Sequence, residues 1–488
     1  MSNKYQVMSD ECPNISTYRH SSTRDKMGVP LPLIWIIAIA VGVLFLCSSL
    51  RHSLFQSTAF DLGIFDNAIY LISQGQEPIV SFRGLHILGD HAAWILYPLA
   101  LLYVVFADVH WLFAVQALAL AFGALPTWYL ALQAGLTTAQ AYGLAVAYLL
   151  YPVVFNANLF DFHPEVIAIP LILGAVWAAR ARKLGWFCVA ITIVLGCKAV
   201  LALTVVAMGL WLIAKEKRPF SGMLAIIFGT SWFILATQLI IPAFSGEEAA
   251  AVNRYDFLGN SVGEIVTNLI FQPRLVLSNI FTLANLEYFI LLCAPWLWGI
   301  SIKHLAPLIG ATPLLCLNLL ADYPLQKDLI HQYSLPILPF LVLAAIATLA
   351  AEDSWISSRK AIIIWSIVTW LALAKFGYFG SKYLESMDTQ FATQTAISRI
   401  ITKEAVLAPA QVVPHLTHRR LIEVIDNSIP QPNLSKFQYV IVNTRHSGSN
   451  VDSGLISNLL INLQQSLKFK LDYQQDDVFL FIKVAQNQ

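Results

Sequence analysis

The chain has 488 residues, 57% of them hydrophobic and 12% charged, with 30 basic side chains against 29 acidic ones. Its mean hydropathy of +0.64 and its repeated apolar runs, each near the roughly 20 residues that cross a hydrocarbon layer, predict a mainly α, polytopic membrane protein. The net charge of +1 leaves no basic excess of the kind that nucleic acid requires.

Residues 1–31 are polar, with scattered Lys4, Arg19, Arg24 and Lys26, and lack the three-part pattern of a signal peptide. They are expected as a cytoplasmic tail, with the first apolar run, 32–49, as a retained span. "TAFDLGIFDNAIYLISQG" follows from Thr58 to Gly75, inside an outer-surface loop 51–92. Leu62, Phe65, Ile69 and Ile72 recur at helical spacing, and Gly75 stands where a helix commonly ends, so the stretch reads as a short amphipathic helix resting on the membrane. Two carboxylates here, Asp61 and Asp66, need a reason. One reading makes Asp61 the N-cap of that helix; the other gives it chemistry.

Further spans are expected at 111–131, 139–156, 165–180, a tight pair within 185–214, 221–243, 287–302, 305–320, 335–351 and 361–379, about eleven in all. The segment 93–107, "AWILYPLALLYVVFA", is only about 22 Å long as a helix and carries Pro98. Charge decides its placement, because short cytoplasmic loops gather Lys and Arg. If 93–107 does not cross, "RARK" at 180–183 and "KEKR" at 215–218 face the cytoplasm together with the N-terminal tail. It is therefore expected on the outer surface or as a re-entrant segment.

That orientation gathers the polar loops on the outer side. "LGDHAAW" holds Asp90 and His91, and "NLFDFHPEVIAIP" holds Asp161, His163 and Glu165 at the mouth of a span. These five are the candidates for a divalent cation such as Mg or Mn; the alternative has Pro164 and Glu165 simply opening a helix and complementing its dipole. Lys198, inside "VLGCKAVLALTVV", is an ionisable group in an apolar stretch, hence either a functional cation or a side chain snorkelling to the interface. Arg254 with Tyr255 in the outer loop 244–286, and His331 with Tyr333 in "DYPLQKDLIHQY", complete the outer set. The six cysteines, Cys12, Cys47, Cys188, Cys197, Cys293 and Cys316, form no CxxC pair and suggest neither a disulfide framework nor zinc.

After Phe379 the apolar runs shorten. Helix patterns at about 389–403 and 453–466 alternate with the strand patterns "RLIEVI", "FQYVIVN", "FKLDY" and "VFLFIKV", so 380–488 is expected as a small extracytoplasmic α/β domain following the transmembrane domain 32–379.

"FDLGIFDNAIY", "GDHAAWILYPLALLY", "ANLFDFHPEVIAIPLIL", "YDFLGNSVGEIV", "HQYSLPILPFLVLAA" and "VVPHLTHRR" together resemble the bacterial membrane-protein family DUF 2079. That family is similar, distantly, to the GT-C glycosyltransferases, multi-span enzymes that take a sugar from a polyprenyl-phosphate carrier on the non-cytoplasmic side. The resemblance implies a GT-C-like fold in the bacterial inner membrane and a functional acid just after the first span, at Asp61 or Asp66. Lys198 is followed here by Ala199 and Val200, where family members often carry acids.

On this reading the partners are a lipid-linked sugar donor and membrane lipids, with the donor phosphate met by Lys198, Arg254, His331 and Tyr333 or by a metal. Asp61 is the expected general base for the acceptor hydroxyl, its pKa raised by desolvation. A transporter or lipid-handling protein using Lys198 and the outer carboxylates is the rival from another class, and an assembly protein working through 380–488 is a third. The sequence sets neither sugar, acceptor nor oligomeric state.

Overall fold

The computed structural model describes residues 28–246, 250–428, 432–448 and 451–484. Nearly all of the expected cytoplasmic tail lies outside them, as do Cys12 and a few residues of the 244–286 loop.

Among the described residues six helices are long and apolar enough to cross a membrane: Leu31–Ser53, His110–Gln133, Thr138–Phe160, Pro219–Ser245, Gln332–Ala350 and Arg359–Glu385. The pair Pro273–Ile280 and Leu283–Gly299, bent by 62°, makes a seventh if it is one span. Other expected spans are shorter helices: Glu165–Arg180, the pair Leu184–Cys197 and Leu201–Ala214, and Ala306–Leu320. The segment 93–107 carries the helix Leu96–Val105, whose 10 residues reach about 15 Å, half of a hydrocarbon layer.

Burial separates a hub from a rim. Gln332–Ala350 is 83% buried along its most apolar window, whereas Leu31–Ser53 is 17% buried and turns Leu31, Trp35, Ile39 and Leu46 outward. Helices approach most closely where side chains are smallest: a Cβ added to Gly209 would meet the Gly222 carbonyl at 2.7 Å, and one added to Gly222 would meet the Gly209 carbonyl at 2.5 Å. Such close approach lets backbones gain dispersion contacts that a lipid environment does not otherwise favour.

The hairpin Leu184–Ala214 fixes the two ends of the molecule. At its open end Arg180 grips Glu216 through two hydrogen bonds of 2.9 and 2.8 Å, and Arg218 donates to the Arg180 carbonyl. At its closed end the chain leaves helical geometry at Lys198, whose backbone is extended, and turns at once into the next helix. The basic runs and Lys198 thus lie at opposite ends, as the charge pattern requires.

Residues 387–483 build a five-stranded sheet between helices. Strands β1 (Ile79–Val80) and β2 (Leu85–His86) form a separate small hairpin. The main sheet has the order β4-β3-β5-β7-β6, with β3 (Val406–Ala408) parallel to β4 (Ile422–Val424) and β5 (Tyr439–Asn443), and β7 (Val478–Lys483) antiparallel to β5 and β6 (Phe469–Gln475). Every residue of β5 is buried because both faces are covered. Ile441 shares one face with Ala392 and Ala396 of the helix Met387–Ser398, and Val440 and Val442 share the other with Ile456, Leu459 and Leu463 of the helix Ser453–Gln465. The short β3, "VLA", escaped the sequence reading.

This sheet unit covers the stretch after the first span. A π-helical turn Ala59–Gly63 leads into the helix Ile64–Ser73, which ends at Gly75 (φ +67°) with Gly75 N–H on the Ile72 carbonyl and Gln76 N–H on the Leu71 carbonyl. The helix does not rest exposed on a membrane surface as expected. Phe65, Asp66, Asn67, Ala68 and Ile69 are all buried, because its polar face meets residues 417–419 and its apolar face meets Leu96–Val105.

Candidate active site

Asp61 lies in the third position of the π-helical turn and caps no helix; Thr58 is the N-cap, without a side-chain hydrogen bond to the backbone. The Thr58 hydroxyl donates to Asp61 Oδ2 at 2.9 Å, and His163 Nε2 lies 3.5 Å from Asp61 Oδ1. A quarter of the Asp61 side chain stays exposed.

The turn 161–164 between two helices holds His163 in place. Asp161 has φ +154°, a backbone region that costs an L-residue about 1–3 kcal/mol. Its carboxylate is held by the Arg51 guanidinium and by the Thr58 N–H at 3.2 Å, so the strained turn is tied to the end of the first span. The His163 ring, edge-on to Phe65 and stacked on Phe160, is thereby fixed against Asp61.

Burial works to raise the Asp61 carboxyl, but contact with His163 and the Thr58 hydroxyl, with Arg51 behind, bring it below the ordinary carboxylate value. This reverses the raised pKa expected from desolvation: the fold supplies a positive partner that outweighs burial. His163 shifts the other way. Burial disfavours its charged form, yet Asp61 and Glu165 together hold the imidazole above its usual value. Each partner thus favours the charged form of the other, carboxylate against imidazolium.

Lys198 Nζ reaches Glu165 Oε1 at 2.6 Å and stands 5.5 Å from the centre of the Tyr333 ring. It does not snorkel; it is paired and largely covered. Among the described residues Glu165 Oε2, which is buried, meets no hydrogen-bond partner. Arg254 lies between two aromatic faces, 4.5 Å from Tyr323 and 5.1 Å from Tyr333, and donates to Gln326 Oε1 at 2.9 Å and to the Tyr333 hydroxyl at 3.2 Å. Gln326 is buried and fixed in turn by Tyr255 and Asn318. Lys198 and Arg254 thus meet at Tyr333, two cations converging on one phenol. His331 lies beside this pair: its Nδ1 meets Asp328 Oδ2 at 2.7 Å and its ring packs on Phe160.

Asp66 is elsewhere. It is wholly buried, accepting from the Tyr103 and Thr417 hydroxyls, with His418 Nε2 at 3.3 Å. Asn67 donates to the Thr417 and Arg419 carbonyls, and His415 stacks on His52 at 3.9 Å, its burial pushing the imidazole down to about 4. The "VVPHLTHRR" stretch is the seam through which the sheet unit docks.

The five candidate metal ligands do not gather. Among the described residues no three histidine, cysteine or acidic side chains converge as a metal site needs. Asp161 goes to Arg51, Glu165 to Lys198, and His163 to Asp61, while Asp90 lies 3.9 Å from Arg83 and 3.6 Å from His91. Each anion already faces a cation or imidazole, a donor set that fits ion pairing.

Sequence reading missed Arg51 as the partner of Asp161, Tyr323 and Gln326 as the frame of Arg254, and Glu165 as the partner of Lys198. One signal was available: the charge pattern puts all of them in loops at the same end.

The sequence profile of the family described as "Predicted membrane protein (DUF2079)" matches residues 51–480. No curated protein matches the sequence significantly. In fold the chain is similar to ArnT from Cupriavidus metallidurans bound to undecaprenyl phosphate, with a TM-score of 0.57 at 12% identity over 93% of this chain and 98% of that one. The apo state of ArnT gives a TM-score of 0.55 at the same identity and coverage. At such identity the likeness is one of fold.

Proposed function

The chain belongs to the DUF2079 family of predicted membrane proteins, and on that premise we propose that it is a GT-C-type glycosyltransferase of the bacterial inner membrane, moving a sugar from a polyprenyl-phosphate carrier to an acceptor hydroxyl. One observation carries the proposal. An ionised, partly exposed carboxylate, Asp61, opens at the same end of the molecule as two cations sharing one phenol, Lys198 and Arg254 at Tyr333. A glycosyl transfer from a lipid phosphate needs both: a base to take the proton of the attacking hydroxyl, and positive charge for the phosphate that leaves. The ArnT fold, seen with undecaprenyl phosphate in that protein, supports a lipid-phosphate donor here.

In this reading Asp61 is the general base, and His163 holds it ionised and oriented. Lys198 and Arg254 receive the leaving phosphate, Tyr333 positions them, and Glu165 keeps Lys198 from swinging away. Asp66 is structural, and His331 steadies the 322–333 segment. The candidate metal ligands act as ion-pair partners, so transfer is proposed to proceed through the cationic side chains, with added Mg or Mn leaving the rate unchanged. The site faces the extracytoplasmic side, with about eleven crossings when the shorter apolar helices are counted, a cytoplasmic N-terminus and an extracytoplasmic sheet domain. The clustering of Arg180, Lys183, Lys215 and Arg218 at the far end supports that orientation.

Purified protein incubated with a panel of polyprenyl-phosphate sugars tests the reading. Release of free polyprenyl phosphate that depends on Asp61 is expected. Binding of the lipids without release by any member, in the presence of envelope extract as acceptor, would reject it.

A further inference from the structure

A cleft of about 450 Å³ opens beside Arg254, between residues 321–330, one face of the helix Leu283–Cys293, and the chain at Leu373 and Lys375. Its size falls within the range of small-molecule sites. Glu287, Asp322, Lys327 and Lys375 line it, and among the described residues none of these four side chains makes a hydrogen bond or an ion pair. Glu287 is the least expected. It belongs to an apolar helix whose Leu283, Leu286, Phe289 and Ile290 are exposed, and an ionisable group among such neighbours is by default functional.

The cleft also touches the site already described. Tyr323 lines it while carrying the Arg254 guanidinium on its ring. Asp328 lines it too, anchored by the Ile330 and His331 N–H groups at 2.9 and 3.0 Å, and the His331 ring leads through Phe160 to His163 and Asp61. An occupant would therefore lie beside the Tyr323 ring that carries Arg254, with His331 and Phe160 between it and the His163–Asp61 pair.

Charge narrows its chemistry. The acids Glu287, Asp322 and Asp328 face Lys327 and Lys375, with His331 on Asp328, so the lining has no cationic excess, unlike the Lys198 and Arg254 end. It offers free acceptors, free donors and a tyrosine wall. An uncharged ring whose hydroxyls both donate and accept, and whose C–H face packs on an aromatic ring, satisfies all three. We infer that this cleft binds a neutral polyhydroxylated sugar ring, either the sugar of the donor lipid or one belonging to the acceptor. The inference rests on the glycosyltransferase reading. The exposed apolar flank of Leu283–Cys293 gives a lipid-borne ring its way in.

The full-length protein carrying Ala284→Cys places a thiol on the cleft wall, read by bulky-maleimide labelling and peptide mass. Protection by methyl hexosides or pentosides, or by undecaprenyl phosphate bearing a hexose, is expected, and none by methyl glucuronide, inorganic phosphate or undecaprenyl phosphate itself. Protection by the sugar-bearing lipid assigns the ring to the donor; protection by free glycosides alone assigns it to the acceptor. Adding Glu287→Gln and Asp322→Asn weakens protection by about tenfold or more while leaving binding of undecaprenyl phosphate unchanged. The inference fails if no neutral sugar protects the thiol, or if the glucuronide or phosphate protects as well. The phosphate cradle is tested separately: undecaprenyl phosphate binding that survives Lys198→Ala rejects the cradle without touching the cleft.

Discussion

Asp61 and Asp66 sit five positions apart, in the same stretch after the first span, and the fold treats them oppositely. Asp61 keeps a quarter of its side chain exposed, with one hydroxyl and one imidazole beside it; Asp66 is sealed, by the Tyr103 hydroxyl and by a hydroxyl and an imidazole, Thr417 and His418, from a seam more than 350 residues further along. The first has acceptor capacity left for a substrate. The second is closed off from any substrate, and its burial is tolerable because both its oxygens are hydrogen-bonded. Local sequence treats the two as equivalents; what distinguishes them is whether the sheet unit covers them.

The contrast can be broken by substitution. Asp61→Asn is expected to lower turnover by about 10²–10⁴-fold, the usual contribution of a positioned base, with a melting temperature that falls far less than that of Asp66→Ala. Transfer assays beside thermal melting read both, and a variant that melts as early as Asp66→Ala or works normally would contradict the division of roles. Asp66→Ala is expected to do the reverse, removing about 1–3 kcal/mol of stability for each buried hydroxyl, Tyr103 and Thr417, that loses its acceptor. Limited proteolysis should then cut 380–428 first, as the sheet unit undocks. Lys198→Ala is expected to weaken polyprenyl-phosphate binding by about 10–100-fold, the worth of one charge-assisted contact, in a lipid-binding assay. Intact affinity would leave the phosphate without its cation.

The smallest effect is a shift in pH. Asp61 is held below the ordinary carboxylate value, so the carboxylate form, and activity with it, persists to pH values below that point. His163→Gln removes the first cause of that depression, and the acid limb of kcat/KM is expected to move to higher pH, with the rate above neutral little changed. Stability carries the matching signs. The depressed Asp61 stabilises above its unfolded pKa and loses that contribution as pH falls through its folded value. The raised His163 stabilises below its unfolded pKa and loses its contribution as pH rises through its folded value. An acid limb unmoved in His163→Gln would show that the pair does not couple.

Much of this was legible in order and period. Long apolar runs located the six longest helices within a few residues, and the period-two runs "RLIEVI", "FQYVIVN", "FKLDY" and "VFLFIKV" located four of the five strands in the main sheet. The three-residue β3 was not legible, because a segment that short carries no periodicity and is a strand only between its neighbours. The singled-out Asp61, His163, Lys198, Arg254 and Tyr333 do meet at one end, with His91 beside the Lys198–Glu165 pair, while Asp66 belongs to the seam. The pKa of Asp61 was misjudged for a definite reason: burial is readable from surrounding hydrophobicity, but a positive partner 102 positions away is not.

Sequence alone determined that the chain lives in a membrane, where its long helices run, and that its basic runs and its acidic, histidine-bearing loops sit at opposite ends. Those follow from local composition, since hydrophobic length and Lys/Arg placement act segment by segment. Only tertiary structure decided which polar groups face each other: Arg51 with Asp161, His163 with Asp61, Lys198 with Glu165, Thr417 with Asp66. Pairing energies depend on distances of a few ångströms across separate helices, and no pattern within one segment specifies them.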